Sequence, residues 1–239
     1  MWSFQRIDPF PFFSGFRFVT TVGGGGKTTF GEYLASRAVQ EGRRAVITTT
    51  TKIRAEEPYV LFDRLAGHYK QQGPVRVGKS VADGKLTSLS FDEVRVLGEM
   101  FDLVVIEGDG SRGKPLKYPS ATEPVIPPFS DHTVVVGGLD GLGSRVAEQV
   151  FRWEIFRDET GVGGDAQLDL DSWELLFGTR AMMKGVQADR GTILLNKYDA
   201  CRDRQSARLL AKNLLRVTKV TRVLISSLRF RIFYSVSNG

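Results

Sequence analysis

Residues 19–30 read VTTVGGGGKTTF: four consecutive glycines, then Lys27, Thr28 and Thr29, between an apolar run and an amphipathic one. With no Cβ in the way, the backbone N–H groups of Gly23, Gly24, Gly25 and Gly26 can converge on an anion. A helix opening at Lys27 adds the partial positive charge of its N-terminus. In that arrangement the Lys27 ammonium reaches the outer phosphates of a nucleotide, the Thr28 hydroxyl ligates Mg²⁺, and Thr29 completes the phosphate-binding set. The usual spacing G-x-x-x-x-G-K-[ST] asks for glycine six residues before the lysine. That position is Thr21, so the loop is expected to be tighter or entered differently. A flexible glycine linker abutting Lys-Thr-Thr is the plainer alternative, and the strand before and helix after argue against it.

A second set of residues bears on the base. Asn196-Lys197-Tyr198-Asp199 follows the apolar run GTILL. The Asp199 carboxylate can accept two hydrogen bonds from guanine N1–H and its 2-amino group, a pair that adenine does not offer. Asn196 can bond the base edge and tie its loop to the cradle, while the stem of Lys197 packs over the purine. A polar turn whose Asn and Asp cap the next helix is the alternative. The strand RVLIS ends in Ser226-Ser227, a position suited to a short contact from Ser227 to the base. GTP is the expected ligand, with ATP not excluded.

On the γ-phosphate side, LVVIE runs into Glu107-Gly108-Asp109-Gly110-Ser111. An acid at the end of a strand beside a phosphate loop can hold a Mg²⁺-bound water, which puts Glu107 with Thr28 on the metal. The Gly110 N–H is placed to sense the γ-phosphate, and Glu107 or Asp109 to orient an attacking water; with Lys27 they form the expected catalytic set. The alternative is a tight Gly-Asp-Gly turn. Thr48 to Thr51 end another strand, where a hydroxyl or carbonyl can approach Mg²⁺ or phosphate, although threonine is equally at home in a strand. No residue stands out as a general base, so slow or partner-activated hydrolysis is expected. Arg112, Lys114 and Lys117 follow, suited either to an anionic cargo or acidic client face, or to a solvated basic loop.

These residues need elements that carry them to one rim. Short apolar runs recur at RFVTTV (17–22), RAVITT (44–49), FDLVVIE (101–107), HTVVVG (132–137), GTILLN (191–196) and RVLISS (222–227). Amphipathic segments lie between several of them: TTFGEYLASRAVQ, SRVAEQVFRWEIF, SWELLFGTRAMM and RQSARLLAKNLL. Strands apolar on both faces and alternating with helices predict an α/β fold, three-layer and P-loop NTPase-like, with a doubly wound, mostly parallel sheet. One nucleotide-binding domain over residues 1–239 is expected, with an irregular insertion about 52–100. Within it VRVGKSVADGKLTSL reads as a hairpin turning at Asp83-Gly84, followed by a helix at FDEVRVLGEM. The Pro-rich stretch 114–129 reads as a loop at the carboxyl edge, where such sheets bind ligands. The closing RFRIFYSVSNG carries no further helix, which points to a truncated or atypical C-terminus.

Composition sets outer limits. Hydrophobic residues at 41% and charged residues at 25% suit a globular domain, and the formal charge of +6 favours anionic partners. The late basic helix from Arg202 to Arg222 has no interleaved aromatics, so it reads as solvated surface and nucleic acid is disfavoured. Cys201 is the single cysteine, the opening residues do not read as a signal peptide and no apolar run is long enough to span a bilayer, so a cytoplasmic location is expected.

Together VGGGGKTT, TTTTKI, IEGDGSRGKPLKYP with the following EPVIP, and LLNKYD resemble the selenium-dependent hydroxylase accessory family (YqeC type), over Phe18 to Asp199. The resemblance implies a P-loop protein that assists maturation of selenium-dependent molybdenum hydroxylases by handling their cofactor. Its partner would be that client molybdenum hydroxylase or its cofactor-loading machinery. The family's phosphate loop maps onto Gly23 to Thr28 and its acidic strand end onto Glu107 to Gly110. The Asn-Lys-x-Asp motif with an E-x-x-G strand end also looks like the GTP-binding metallochaperones of nickel enzymes. Here, however, Cys201, His68 and His132 form no ligand pair, which argues against a bare transition metal as cargo. The expected function is a GTP-binding, GTP-hydrolysing maturation factor whose loops at 48–54 and 107–117 switch between client-binding and client-releasing states. A P-loop kinase using Asp109 as catalytic acid and Arg112 as clamp, and a nucleotide-dependent adaptor without turnover, are the rivals. A homodimer stays open.

Overall fold

The computed structural model describes residues 2–65 and 73–238. Ten strands form one sheet: β1 (Trp2–Ile7), β2 (Phe18–Gly23), β3 (Ala45–Thr49), β4 (Tyr59–Leu61), β5 (Val75–Gly78), β6 (Leu103–Glu107), β7 (His132–Gly138), β8 (Gly191–Asn196), β9 (Arg222–Ser227) and β10 (Ile232–Asn238). Their order is β1-β10-β9-β8-β7-β2-β6-β3-β5-β4. Every pairing from β9 across to β4 is parallel. The pairings of β10 with β9 and with β1 are antiparallel. All six strands expected from the sequence are present, and β3, β6 and β8 are buried along their whole length.

Strands buried on both faces need helices on both faces. On one face α1 (Phe10–Phe13) and α2 (Lys27–Gln40) bring Phe10, Phe13, Phe30 and Leu34 against Val19, Ile47, Val105 and Val134. On the other, α3 (Phe91–Met100) packs Val94 and Leu97 on Val104 and Ile106. Beside it α4 (Val146–Gln149), α5 (Trp153–Thr160), α6 (Leu170–Leu176) and α7 (Arg204–Thr218) cover Val135, Ile193, Leu195 and Val223. Ser90 and Glu93 form a reciprocal capping box that starts α3, and the Asp203 carboxylate accepts the N–H groups of Gln205 and Ser206 to start α7. Among the described residues no helix is long and apolar enough to cross a membrane.

Four stretches differ from the sequence reading. Val75–Gly78 joins the main sheet as β5, parallel to β3, instead of forming one arm of a hairpin. Val75 and Val77 lie on α3's side, while Arg76 pairs with Glu32 of α2 on the opposite side, so both faces of the strand are used. The hairpin is shorter, between Val81–Ala82 and Lys85–Thr87, and turns where expected, with φ of 52° at Asp83 and 67° at Gly84. SRVAEQVFRWEIF is not one helix: Val150–Phe151 pairs with Leu116–Lys117 as short parallel strands, and Arg152 is left-handed (φ 63°) between α4 and α5. RFRIFYSVSNG supplies β10, which buries Phe233 and Val236. The basic face of α7 is partly packed, because Arg208 lies 4.5 Å from the Phe4 ring centre and donates to the Tyr198 hydroxyl at 3.0 Å.

His132 sits inside this framework, stacked 4.8 Å from the Phe16 ring with Phe12 and Phe13 edge-on, and Nε2 lies 2.8 Å from the Thr192 hydroxyl. Burial, and then the nearby Arg222, push its pKa down to about 4. The unfolded chain takes up this proton near 6.5 and the folded chain does so only near 4, so stability is lost as pH falls through that window. Between pH 7 and 4 the wild type should lose about 2–3 kcal/mol more than His132→Phe in urea unfolding. Equal losses would show that His132 is not the responsible group.

Candidate functional site

Because β2, β6, β7, β8 and β9 run parallel, their carboxyl ends share one rim. Val136 is opposite Gly23, Thr21 is opposite Glu107 and Gly138 is opposite Asn196. Thr21, standing where the usual spacing has glycine, is a regular member of β2 paired into β6. The strand therefore continues to Gly23, and the turn into α2 is confined to Gly24–Gly26. This turn is tightly enclosed. A Cβ on Gly25 (φ 73°) would collide with the backbone of Gly138, and one on Gly24 would meet the Lys114 and Pro115 carbonyls at 2.7 and 2.8 Å.

The first three loop amides already have acceptors within the protein. Gly23 N–H donates to both Asp109 carboxylate oxygens (3.1 and 3.0 Å), Gly24 to the Val136 carbonyl (2.8 Å) and Gly25 to the Lys114 carbonyl (3.2 Å). The open donors lie further on, in the first turn of α2, where the N–H groups of Lys27, Thr28 and Thr29 have no intrahelical acceptor. Gly26, Thr28 and Thr29 reach solvent, whereas Lys27 is buried, folded back to donate to the Gly23 carbonyl at 2.6 Å. The Thr28 hydroxyl donates to Glu107 Oε2 at 2.8 Å. Burial raises the Glu107 pKa above the usual carboxylate range, against the lowering pull of Lys27 and Thr28.

On the acidic side Asp109 lies 3.3 Å from the Lys27 ammonium and 3.1 Å from that of Lys117. Lys117 is only 1% exposed and also donates to the Gly110 carbonyl and to Glu123, each at 2.9 Å; Glu123 in turn pairs with Arg152. The cations after the acidic turn are therefore not a free basic loop. Lys117 is buried, Lys114 donates to the Glu148 carbonyl, and Arg112 rests 5.2 Å from the Phe151 ring centre. Sequence reasoning missed Lys117 as a buried partner of Asp109, since a lysine in a Pro-rich stretch carries no burial pattern. The threonine run is likewise committed: Thr48 donates to the Val77 carbonyl, Thr49 to that of Glu107 and Thr50 to that of Val125, at 2.8, 2.8 and 2.6 Å.

On the other side Asn196 Nδ2 donates to the Gly25 carbonyl at 2.8 Å, and its Oδ1 accepts from Ser226 Oγ (3.1 Å) and Leu228 N–H (3.0 Å). Lys197 is left-handed (φ 62°) and its ammonium lies 2.6 Å from Asp140 Oδ2. Ser227 Oγ accepts the Asp199 N–H at 3.0 Å, and the Asp199 side chain is exposed. A polar cleft of about 1000 Å³ opens beside this corner, with Asp140, Arg145, Gln167, Ala200, Arg202 and Ser206 in its lining. Among the described residues no cluster of three or more His, Cys, Asp or Glu is arranged to hold a metal ion. His132 is packed among phenylalanines, Cys201 is buried, and His68 lies outside the described residues.

A mostly parallel sheet covered by helices on both faces, with a glycine turn leading into a helix at its carboxyl rim, defines a three-layer α/β protein. The sequence profile of the YqeC protein family matches residues 19–154. The chain is also 34% identical over 196 residues, 77% of each chain, to the "Uncharacterized protein YqeC" of Escherichia coli (strain K12). The chain belongs to the YqeC family. The matched profile takes in the glycine turn, Glu107 to Gly110 and the Pro-rich stretch, and it ends before the Asn196–Asp199 corner.

A raised carboxyl pKa favours folding only while the group is protonated, so the contribution of Glu107 to stability falls as pH rises through its folded pKa. At pH 8 Glu107→Gln should match or exceed the wild-type melting temperature. A clear drop in melting temperature at pH 8 would show that the ionised Glu107 is instead a stabilising group.

Proposed function

We propose that this protein binds a guanine nucleotide along the carboxyl rim. The first turn of α2 and Lys27 take the phosphates, Asp199 takes the base, and a family-specific accessory role in maturing a selenium-dependent molybdenum hydroxylase follows. The observation that carries the nucleotide reading is the bond from Asn196 Nδ2 to the Gly25 carbonyl. It ties the phosphate turn to the Asn-Lys-Tyr-Asp corner and leaves the Asp199 carboxylate exposed for a purine edge. The client assignment rests on the sequence resemblance, above all the EGDGSR and EPVIP segments.

Mg²⁺ suits the oxygen pair of Thr28 and Glu107, which lie 2.8 Å apart next to the first turn of α2, because Mg²⁺ takes one or two protein oxygens and completes its shell with phosphates and water. Bound there it would neutralise phosphate charge. Thr28 orients Glu107, and Lys27 has only to swing from the Gly23 carbonyl to meet a phosphate. Asp109 is held on both oxygens by Gly23, Lys27 and Lys117, and Glu107 accepts from Thr28 on one, so Asp109 is not free as a base, which favours slow or partner-activated hydrolysis. Phosphate release that stays undetectable even with client present would favour an adaptor. The kinase reading needs Arg112 as a clamp, and that side chain rests on Phe151.

Calorimetric titration of GTP and ATP, with and without Mg²⁺, tests the assignment. Wild type should prefer GTP at least about ten-fold, Asp199→Ala should erase the preference without weakening ATP, and Lys27→Ala should weaken both. Equal affinity of the wild type for GTP and ATP, or an Asp199→Ala variant that keeps the preference, would remove the guanine assignment.

A further inference from the structure

Asp109 lies at the junction of the glycine turn and the Pro-rich stretch, and its surroundings are those of an anion-binding site. One backbone N–H (Gly23, 3.0–3.1 Å) and two ammonium groups (Lys27 at 3.3 Å, Lys117 at 3.1 Å) surround a carboxylate whose side chain is 3% exposed. A phosphate would call on part of this same donor set, since Lys27 both pairs with Asp109 and stands in the first turn of α2. Lys27 points back to Asp109 and the Gly23 carbonyl.

We propose that Asp109 is a resident anion that competes with the nucleotide for Lys27. This rests on the nucleotide reading above and adds a regulatory element to it. A polyphosphate at the first turn draws Lys27 away and repels the carboxylate, and Lys117 then carries the Asp109 charge alone. Lys117 also holds the Gly110 carbonyl and Glu123, and Glu123 holds Arg152 just before α5. The Pro-rich stretch is tied to the turn itself by the Lys114 carbonyl, which accepts Gly25 N–H, and by the Pro115 carbonyl, which accepts Gly138 N–H at 2.9 Å. Displacement of Asp109 is thereby coupled to residues 110–123, and the surface they form differs between the empty and liganded protein.

Competition makes a prediction that a purely structural ion cluster does not: removing different members moves affinity in opposite directions. Asp109→Asn removes the competing charge and should tighten GDP binding at least about ten-fold. Lys117→Met leaves Asp109 with Lys27 as its remaining close cation and should weaken GDP binding by a similar factor. Glu123→Gln frees Lys117 for Asp109 and should tighten binding, which serves as the second sign test if Lys117→Met fails to fold. Melting temperatures taken alongside separate affinity from stability, because breaking a buried ion cluster costs stability in each case. Tighter binding by Asp109→Asn together with weaker binding by Lys117→Met, or tighter binding by Glu123→Gln, supports the proposal. Wild-type binding that every variant only weakens, in step with its melting temperature, overturns it and leaves the nucleotide reading standing. A wild type and Asp109→Asn variant that both fail to bind GDP or GTP would overturn the two together.

Discussion

The turn from β2 into α2 is made in a space bounded by backbone on several sides, and the rest of the rim is arranged around it. Val136 and Gly138 of β7 close one side, Lys114 and Pro115 another, and Asn196 reaches in from β8. Nothing larger than glycine fits at Gly24 or Gly25, and each enclosing group takes or gives a hydrogen bond as it approaches. The turn is thus a hub. The acidic strand end, the Pro-rich stretch and the Asn-Lys-Tyr-Asp corner each reach it by a bond of their own.

That enclosure changes what the glycines do. In an open phosphate cradle their amides face a ligand, whereas here those of Gly23, Gly24 and Gly25 satisfy Asp109, Val136 and Lys114. The donors that remain open there are those of a helix N-terminus beside a single lysine, a smaller set than an open cradle offers. Charge on the acidic side is arranged to match. Lys27, Asp109 and Lys117 alternate in sign within 3.1–3.3 Å and are almost wholly buried, so a shift of one must be answered by the others. A buried ion cluster is weak as a source of stability, and this one links the glycine turn to Gly110 and Glu123 through Lys117.

The chemistry of the two halves of the rim is unequal. The half proposed to take phosphate is made from short-range features, a glycine run beside an acidic strand end, and it falls within the matched family profile. The half proposed to take the base joins the Asn196–Asp199 string to Ser227, which is distant along the chain and is brought beside it by the pairing of β8 with β9. Its polar cleft is bordered by the loop after β7 and by the starts of α6 and α7, so its shape belongs to the packing of that face alone.

Apolar runs bounded by turns were enough to read six central strands, their parallel pairing and the helices α2, α3 and α7, because burial on both faces leaves an unbroken hydrophobic signature. The glycine turn, Glu107 and the Asn-Lys-Tyr-Asp corner were legible for the same local reason: each is a short string at a strand end. β1, β4 and β10 were not, and β5 was read only as a hairpin arm, because such strands are short or polar on alternate residues and are defined by the neighbours they pair with. Nor could local pattern show that Lys117 is buried or that Asp109 already holds Lys27, since both follow from folding the Pro-rich stretch back over the turn. Residue type and spacing determined which groups stand at the rim; only the tertiary packing decided which of them are free, because a hydrogen bond or ion pair made across the fold uses up a donor that the sequence presents as available.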